Sequence, residues 1–445
     1  MRKITWYFWG GLALMSLLWL ASNPAVLAGQ PNFIAWRNVL IQYSGVLGMA
    51  VMSVAMLLAM RPTPAERPLG GLDKMYRLHK WLGIAALVLS LSHWLLAQAP
   101  KWLSALGLLS GGRPRRAPLP LPEGSLQQTF MSLRHTAEGV GEWAFYVAAV
   151  LMVLALLKRL PYRRFVQLHR LLPLAYLALV FHSVLLLKFD NWATPGGWLL
   201  ALLMAGGSVA AILSLCRRHG GQPRTDGRIV ALDYQPALKV LAVDVQLDPA
   251  WPGHKAGQFA FVTFHPGEGA HPFTLASAWQ GDGRVRLLIK ALGDYTAALP
   301  ARLKTGDRIQ LEGPYGCFTF DSACSHQIWI SGGIGVTPFV ARMQALAAAP
   351  AGQTIDFFHA TSDYDAGVMQ RLSQDAAAAG VDLHLLWQPR DGRLDAERLT
   401  RSVPEWRDAD IWFCGPAVFG RQLRERLLAL GLPAARFHQE LFDMR

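Results

Sequence analysis

Two stretches, at about residues 74 to 99 and 165 to 188, constrain this chain more than any other part of it. The first reads KMYRLHKWLGIAALVLSLSHWLLAQ and the second FVQLHRLLPLAYLALVFHSVLLLK. Each is long and apolar enough to cross the roughly 30 Å hydrocarbon core of a bilayer as a helix. Each also carries two histidines, His79 and His93 in the first, His169 and His182 in the second. An ionisable side chain inside a span is costly and faces a partner, a cavity or a bound group. Four of them in two spans ask for one shared explanation.

Haem supplies it. Neutral imidazole is an axial iron ligand, and two helices facing each other across a bundle each offer one ring to the same iron. The expected pairs are His79 with His169 and His93 with His182, holding two b-type haems. The steps of fourteen and thirteen residues within the helices correspond to about 20 Å of rise, which sets one haem in each leaflet. Fourteen steps return His93 to within about 40° of the face of His79, whereas thirteen leave His182 about 140° from His169. The second span therefore needs a local distortion. Pro173, between its two histidines, supplies one by removing an intrahelical hydrogen bond. The competing reading is four core histidines bonded to backbone carbonyls or to each other, and it accounts for one such residue more easily than for two matched pairs.

The rest of the amino-terminal half fits this setting. Six apolar segments fall at roughly 4 to 22, 38 to 60, 76 to 98, 138 to 158, 166 to 188 and 196 to 216, each about long enough to span. Arg2, Lys3, an apolar run and AVLAG resemble a secretory signal peptide, but the long aromatic-rich run favours a retained helix. The net charge of +13 has its basic residues clustered between spans. One side carries Arg61, Arg67, Lys74, Arg77 and Lys80, then Lys158, Arg159, Arg163, Arg164 and Arg170, then Arg217 and Arg218. By the positive-inside rule that side is cytoplasmic. The expectation is a multi-pass protein of the cell inner membrane, with membrane lipid around it and both the N-terminus and the soluble half in the cytoplasm. Arginines in GGRPRRAPLPLPEG, in the loop from about 100 to 134, run against this bias. No basic stripe with interleaved aromatics occurs, so nucleic acid is not an expected partner. Arg37 reads as a snorkelling residue with a haem propionate as its second use, and Tyr176 as packing between the histidine levels. The four cysteines, Cys216, Cys317, Cys324 and Cys414, form no CxxC pair or zinc spacing.

After Arg218 the linker HGGQPRTDG leads into alternating segments, KVLAVDVQL, GQFAFVTF and RVRLLIKAL, which predict a small antiparallel β-barrel. From about residue 326 short apolar strands alternate with helical stretches, predicting a doubly wound α/β sheet. The expected architecture is thus a six-helix transmembrane bundle over 1–218, a barrel over 223–325 and a nucleotide-binding α/β domain over 326–445. In ISGGIGVTPF, a strand runs into a helix through Gly332, Gly333 and Gly335, and the helix begins near Thr337 and Pro338. Such a turn lets backbone approach a pyrophosphate at the positive end of a helix.

Taken with HPFTLAS from His271 to Ser277, GPYG from Gly313 to Gly316 and FCGP from Phe413 to Pro416, these features resemble the ferric reductase and NADPH oxidase superfamily of transmembrane flavocytochromes. The soluble half resembles ferredoxin-reductase flavoproteins. The resemblance implies that His271, Pro272, Phe273 and Thr274 contact FAD, with Lys290 and the turn from Gly293 to Thr296 as candidates to meet its diphosphate; a solvated strand end is the other reading of that turn. It places Cys414 and Gly415 near the nicotinamide and matches Phe442 to the aromatic residue that stacks on the flavin, although Asp443, Met444 and Arg445 follow it. Cys414 and Phe442 are accordingly the expected catalytic positions.

The activity implied is hydride transfer from NAD(P)H to FAD, then single electrons through the two haems to an outer-face acceptor. That acceptor is dioxygen, a ferric chelate or a dedicated redox protein. Thr361, Ser362, Asp363 and Arg390 are a mixed set that leaves NADH against NADPH open, and the sequence leaves the oligomeric state open too. A haem-free sensor or transporter is the reading of a different class; it calls for broken helices or paired acidic residues at midplane.

Overall fold

The structure, a computed structural model, describes residues 2–108, 122, 124–157, 160, 162–216 and 221–440. The chain divides into two compact units, Met1–Ala65 with Lys74–Gly221, and Glu66–Asp73 with Gln222–Met444.

In the first unit the long helices are α1 (Arg2–Ser22), α2 (Phe33–Ala59), α4 (Leu72–Ala105, its first two residues counted with the second unit), α5 (Leu126–Leu156), α7 (Leu172–Leu186) and α8 (Pro195–Leu215), with the short α6 (Tyr162–His169) before α7; the short α3 (Thr63–Leu69) belongs from Glu66 onward to the second unit. Six described helical segments are long and apolar enough to cross a membrane, the fifth running Arg164–Leu186. Local chemistry starts them. Asn32, Ser125 and Thr194 cap α2, α5 and α8 by accepting from Ala35, Gln128 and Gly197 N–H groups.

The second histidine stretch is two helices where the sequence suggested one. α6 ends at His169, Arg170 and Leu171 form a turn, and Pro173 sits in the first turn of α7, where its missing N–H leaves no intrahelical bond unmade. A second proline explains another feature. Pro100 lies inside α4 and deprives the Leu96 carbonyl of its helical donor. Arg37 replaces that donor, with Nε 2.8 Å from Leu96 O and a terminal nitrogen 3.1 Å from Ala97 O. Arg37 therefore closes a gap in α4 and does not simply reach for headgroups.

The second unit holds two sheets. The six antiparallel strands of the first are β1 (Arg224–Gln235), β2 (Val240–Leu247), β3 (Phe259–Thr263), β4 (His271–Thr274), β5 (Arg284–Lys290) and β6 (Arg308–Tyr315), in the order β4-β3-β6-β1-β2-β5. The edge strands β4 and β5 meet at one isolated bridge, Leu275 with Leu287. Helix α9 (Asp294–Arg302) follows β5. Strict alternation along β2 and β5 sends Val243, Val245, Val285, Leu287 and Ile289 into one core.

The second sheet is parallel and runs β7 (His326–Gly332), α10 (Thr337–Ala348), β8 (Thr354–Thr361), α11 (Ala366–Ala378), β9 (Asp382–Trp387), α12 (Gln388–Asp391), α13 (Ala396–Ser402), β10 (Asp410–Cys414), α14 (Ala417–Ala429) and β11 (Phe437–Gln439). Its order is β11-β10-β7-β8-β9, so the direction of winding reverses between β7 and β10. Phe339 and Met343 of α10 with Leu372 of α11 cover one face, and Leu399 of α13 with Leu423 and Leu427 of α14 cover the other. Open sheets of this kind bind ligands at the carboxyl edge where the order reverses.

Candidate functional site

In the first unit the four histidines face each other as two pairs. Ring centroids of His79 and His169 are 6.0 Å apart, and those of His93 and His182 are 6.3 Å apart. Two imidazoles bound on opposite sides of one metal, each through a bond of about 2 Å, place their ring centres about 6 Å apart. The surroundings prepare the rings as ligands. Nδ1 of His79 lies 3.0 Å from Ala55 O, that of His93 3.1 Å from Ile41 O, and that of His182 2.8 Å from Ala137 O. An Nδ1–H donated to a carbonyl fixes the tautomer and leaves Nε2 with the free electron pair. His169 differs: its Nδ1 is buried without a hydrogen-bond partner among the described residues, and its ring stacks on Phe165 at 5.2 Å.

Glycines let neighbouring helices approach these rings. A Cβ at Gly141 of α5 would lie 1.9 Å from His182 Nδ1, and one at Gly45 of α2 would lie 3.3 Å from His93 Cε1. Tyr176 turns its hydroxyl to Ser53 Oγ at 2.8 Å and Met204 O at 3.3 Å, which makes it a packing residue of α2, α7 and α8. The donor set, the tautomers of three of its rings and its spacing suit haem iron.

In the second unit, Gly332, Gly333 and Gly335 occupy the turn at the carboxyl end of β7, beside the reversal point. Their roles differ. A Cβ at Gly335 would meet Cys414 O at 2.2 Å and one at Gly332 would meet Pro416 Cδ at 2.6 Å, so these two admit the neighbouring loop. Gly333, at φ +56 with nothing within 4 Å of its would-be Cβ, is the one that leaves room for a ligand. Thr337 and Pro338 are buried at the start of α10. Cys414 is fully buried, and burial with the nearby Glu440 pushes its thiol well above the ordinary range.

His271, Pro272 and Phe273 are half-buried on β4, and Thr274 is buried. The His271 ring stacks on Tyr295 at 4.3 Å and 16°. Burial lowers the His271 pKa and pushes that of Tyr295 up to about 12. The Tyr295 hydroxyl is buried with no hydrogen-bond partner among the described residues, as expected of a group that a ligand would satisfy. Thr296 Oγ1 accepts from the Leu292 and Gly293 amides at 3.0 and 3.2 Å, closing the turn that opens α9.

Three further residues singled out in the sequence are placed as follows. Lys290 is ion-paired with Asp363, so neither group faces a nucleotide alone. Arg390 is held bidentately by Asp391, at 2.8 and 2.9 Å. Phe442 lies outside the described residues. Other polar groups at this edge gave little sign in the sequence. Gly316 of GPYG donates its N–H to Glu66 Oε1 at 2.6 Å, although Glu66 reads as an ordinary surface residue of TPAERPLG. Burial raises the Glu66 pKa, while the Gly316 and Leu72 amides oppose the rise. Ser331 Oγ lies 2.7 Å from His359 Nδ1, and both residues are buried in register with Cys414 across β10, β7 and β8. Burial holds His359 neutral, at about 4.

The family described as ferric reductase like transmembrane component matches residues 44–180, and an FAD-binding domain family matches residues 228–319. A flavohemoprotein of Rhizobium meliloti is 30% identical over 165 residues, covering 34% of this chain and 40% of that protein. One of Bordetella pertussis is 27% identical over 286 residues, covering 57% and 69%. The chain thus spans about 40% of the length of the first of these relatives. Among solved structures, the flavohem-like FAD/NAD-binding domain of nitric oxide dioxygenase from Vibrio cholerae has a TM-score of 0.42 at 22% identity, covering 48% of this chain and 97% of that one. A flavohemoglobin of Malassezia yamatoensis has a TM-score of 0.48 at 17% identity, covering 95% and 98%.

Proposed function

We propose that this chain, which matches the ferric reductase like transmembrane component family over residues 44–180 and an FAD-binding domain family over residues 228–319, is a transmembrane NAD(P)H oxidoreductase of the ferric reductase and NADPH oxidase-like superfamily, carrying FAD and two b-type haems. The observation that carries this reading is the pair of cross-helix imidazole contacts at 6.0 and 6.3 Å. When bound, the cofactors supply a two-electron hydride transfer at the flavin and one-electron relay at the irons. The chain's own residues place and tune them.

In this reading Ala55, Ile41 and Ala137 hold three of the four rings through Nδ1, and the four histidines would hold the two haem irons, those three through Nε2. His271, stacked on Tyr295, and the strand from Pro272 to Thr274 line the flavin, against a six-stranded sheet that closes as a barrel. Gly333 and the start of α10 would receive the dinucleotide diphosphate, and the buried Cys414 with the half-buried Gly415 would lie at the nicotinamide end of the site. The basic loops put both nucleotide sites on the cytoplasmic side of the membrane, so electrons leave on the outer face, to dioxygen or ferric iron.

The test is direct. Purified protein should contain two haems per chain with low-spin bis-imidazole spectra, and NAD(P)H should reduce them only when FAD is present. Oxygen uptake, ferric citrate reduction and superoxide-sensitive cytochrome c reduction then separate the acceptors, and inactivity with all three points to a dedicated redox protein. A haem-free preparation that still folds and inserts would overturn the proposal in favour of a sensor or transporter.

A further inference from the structure

The amino ends of β7, β8 and β9 lie at the edge of the parallel sheet opposite the glycine turn. Register pairs Ile328 with Asp356, Asp356 with Asp382, and Phe358 with His384. Alternation therefore sets His326, Asp356, Asp382 and His384 on one face of the sheet, the face that carries Ile328, Phe358 and Leu386 into the core. The Asp356 carboxylate lies between two rings, with Oδ2 2.7 Å from His326 Nε2 and Oδ1 3.0 Å from His384 Nε2. Asp382 Oδ2 is 3.6 Å from the same His384 nitrogen. One ligand atom from each of Asp356, Asp382 and His384 lies within 4.8 Å of the others.

We propose that this cluster binds one divalent transition-metal ion of the zinc class, through His384, Asp356 and Asp382, with His326 bonded to the second oxygen of Asp356. The separations of 3.0 and 3.6 Å around the His384 nitrogen bracket the roughly 3.3 Å edge of a tetrahedral shell with metal bonds of about 2.0–2.2 Å. An imidazole joined by two carboxylates favours a borderline metal over magnesium or calcium, which take oxygen alone.

The parts around the donors suit the same role. His384 is oriented by stacking on Phe358 at 4.3 Å and 10°, and His326 fixes Asp356 as an outer-shell partner does. The Asp356 side chain is 16% exposed whereas that of Asp382 is 75% exposed, so the site is closed below and open to an entering ion. β9 is an edge strand joined to the sheet only through β8, and Asp356 and Asp382 are register partners across that junction. A bound ion pins the edge strand, at the end of the sheet away from the nucleotide. The proposal does not depend on the electron-transfer reading.

Full-length protein, purified in detergent and stripped with a chelator, should take up one equivalent of zinc chloride by isothermal titration and by metal analysis. Its unfolding temperature should rise on loading. Asp382→Asn, at an exposed position that does not threaten folding, and His384→Gln should abolish saturable uptake, and His326→Gln should weaken it about tenfold to a hundredfold. Flavin and haem contents should not change in any of the three. The proposal is overturned if the wild-type chain shows no saturable uptake, or if Asp382→Asn and His384→Gln bind zinc as the wild type does.

Discussion

Replacing Gly141 by alanine should remove one of the two proposed haems and spare the other. The added Cβ would lie 1.9 Å from His182 Nδ1 and 2.5 Å from both Cε1 and Cγ, where ordinary contact begins at 3.4 Å. The ring must therefore retreat by about 1.5 Å, several times the roughly 0.2 Å that a metal–ligand bond tolerates. The move also breaks the 2.8 Å bond from His182 Nδ1 to Ala137 O, one turn earlier on the same helix. Overpacking of this kind costs about 1–3 kcal/mol and the lost buried hydrogen bond about 1 kcal/mol more, which is enough to displace a ring without dissolving the long contact between α5 and α7. The assay is haem per chain, with the absorption spectrum of the membrane fraction. The expected ratio falls from two to one, the His79 and His169 signal persists, and reduction of outer-face acceptors is lost while NAD(P)H still reduces the remaining haem. Gly139→Ala, on the same helix with nothing within 4 Å of its Cβ, should change nothing, and Gly45→Ala, at 3.3 Å from His93 Cε1, should shift the spectrum but keep both haems. Two haems and an unaltered spectrum in Gly141→Ala would refute the assignment of His182 as a ligand.

Three further outcomes follow from the second unit. Glu66→Ala removes the carboxylate bonded to the Gly316 amide at 2.6 Å; a bond of this charge-assisted kind contributes about 1.5–3 kcal/mol, so the unfolding free energy of the second unit should fall by about that much, and an unchanged unfolding midpoint would show that the bond contributes nothing. His359 has its pKa depressed from 6.5 to about 4 by burial, so its contribution to stability is fully present above pH 6.5 and is lost as pH falls towards 4. The loss is on the order of 3 kcal/mol at the acid end, and His359→Gln should flatten the acid limb of the unfolding temperature; an unaltered limb counts against it. Cys414, fully buried with a raised thiol pKa, should resist alkylation at pH 8 in the native chain and react after denaturation, and rapid native labelling would show that the end of β10 is open.

The membrane half was legible wherever a rule acts along one helix. Span length, the spacing of four histidines and the need for a distortion near Pro173 are all properties of pitch and composition. The extent of that distortion, a two-residue turn at Arg170 and Leu171 between α6 and α7, was not legible, because how far a proline distorts a helix depends on what packs against it. Arg37 shows the same limit more sharply. Its partner is a carbonyl freed by Pro100, and no local pattern joins an arginine in one span to a proline in another.

In the soluble half the glycine turn was legible as a turn, but its three glycines were not separable. Only the packed structure shows that Gly332 and Gly335 admit the loop after β10 while Gly333 faces open space. The charged residues have partners that no local pattern reveals. Lys290 was a candidate for the diphosphate and Arg390 one of the mixed set after β8; Asp363 and Asp391 pair with them, and Asp363 lies 73 residues from Lys290 in the chain. If the proposed nucleotide sites are right, Lys290 and Arg390 meet a phosphate only by sharing it with Asp363 and Asp391, and the backbone amides at Gly293 and Gly333 would be the donors left to it. Amide donors carry no side chain to mutate, so charge-removing substitutions at Lys290 or Arg390 should alter nucleotide affinity less than a change of backbone at Gly333, where φ is +56 and any other residue is strained.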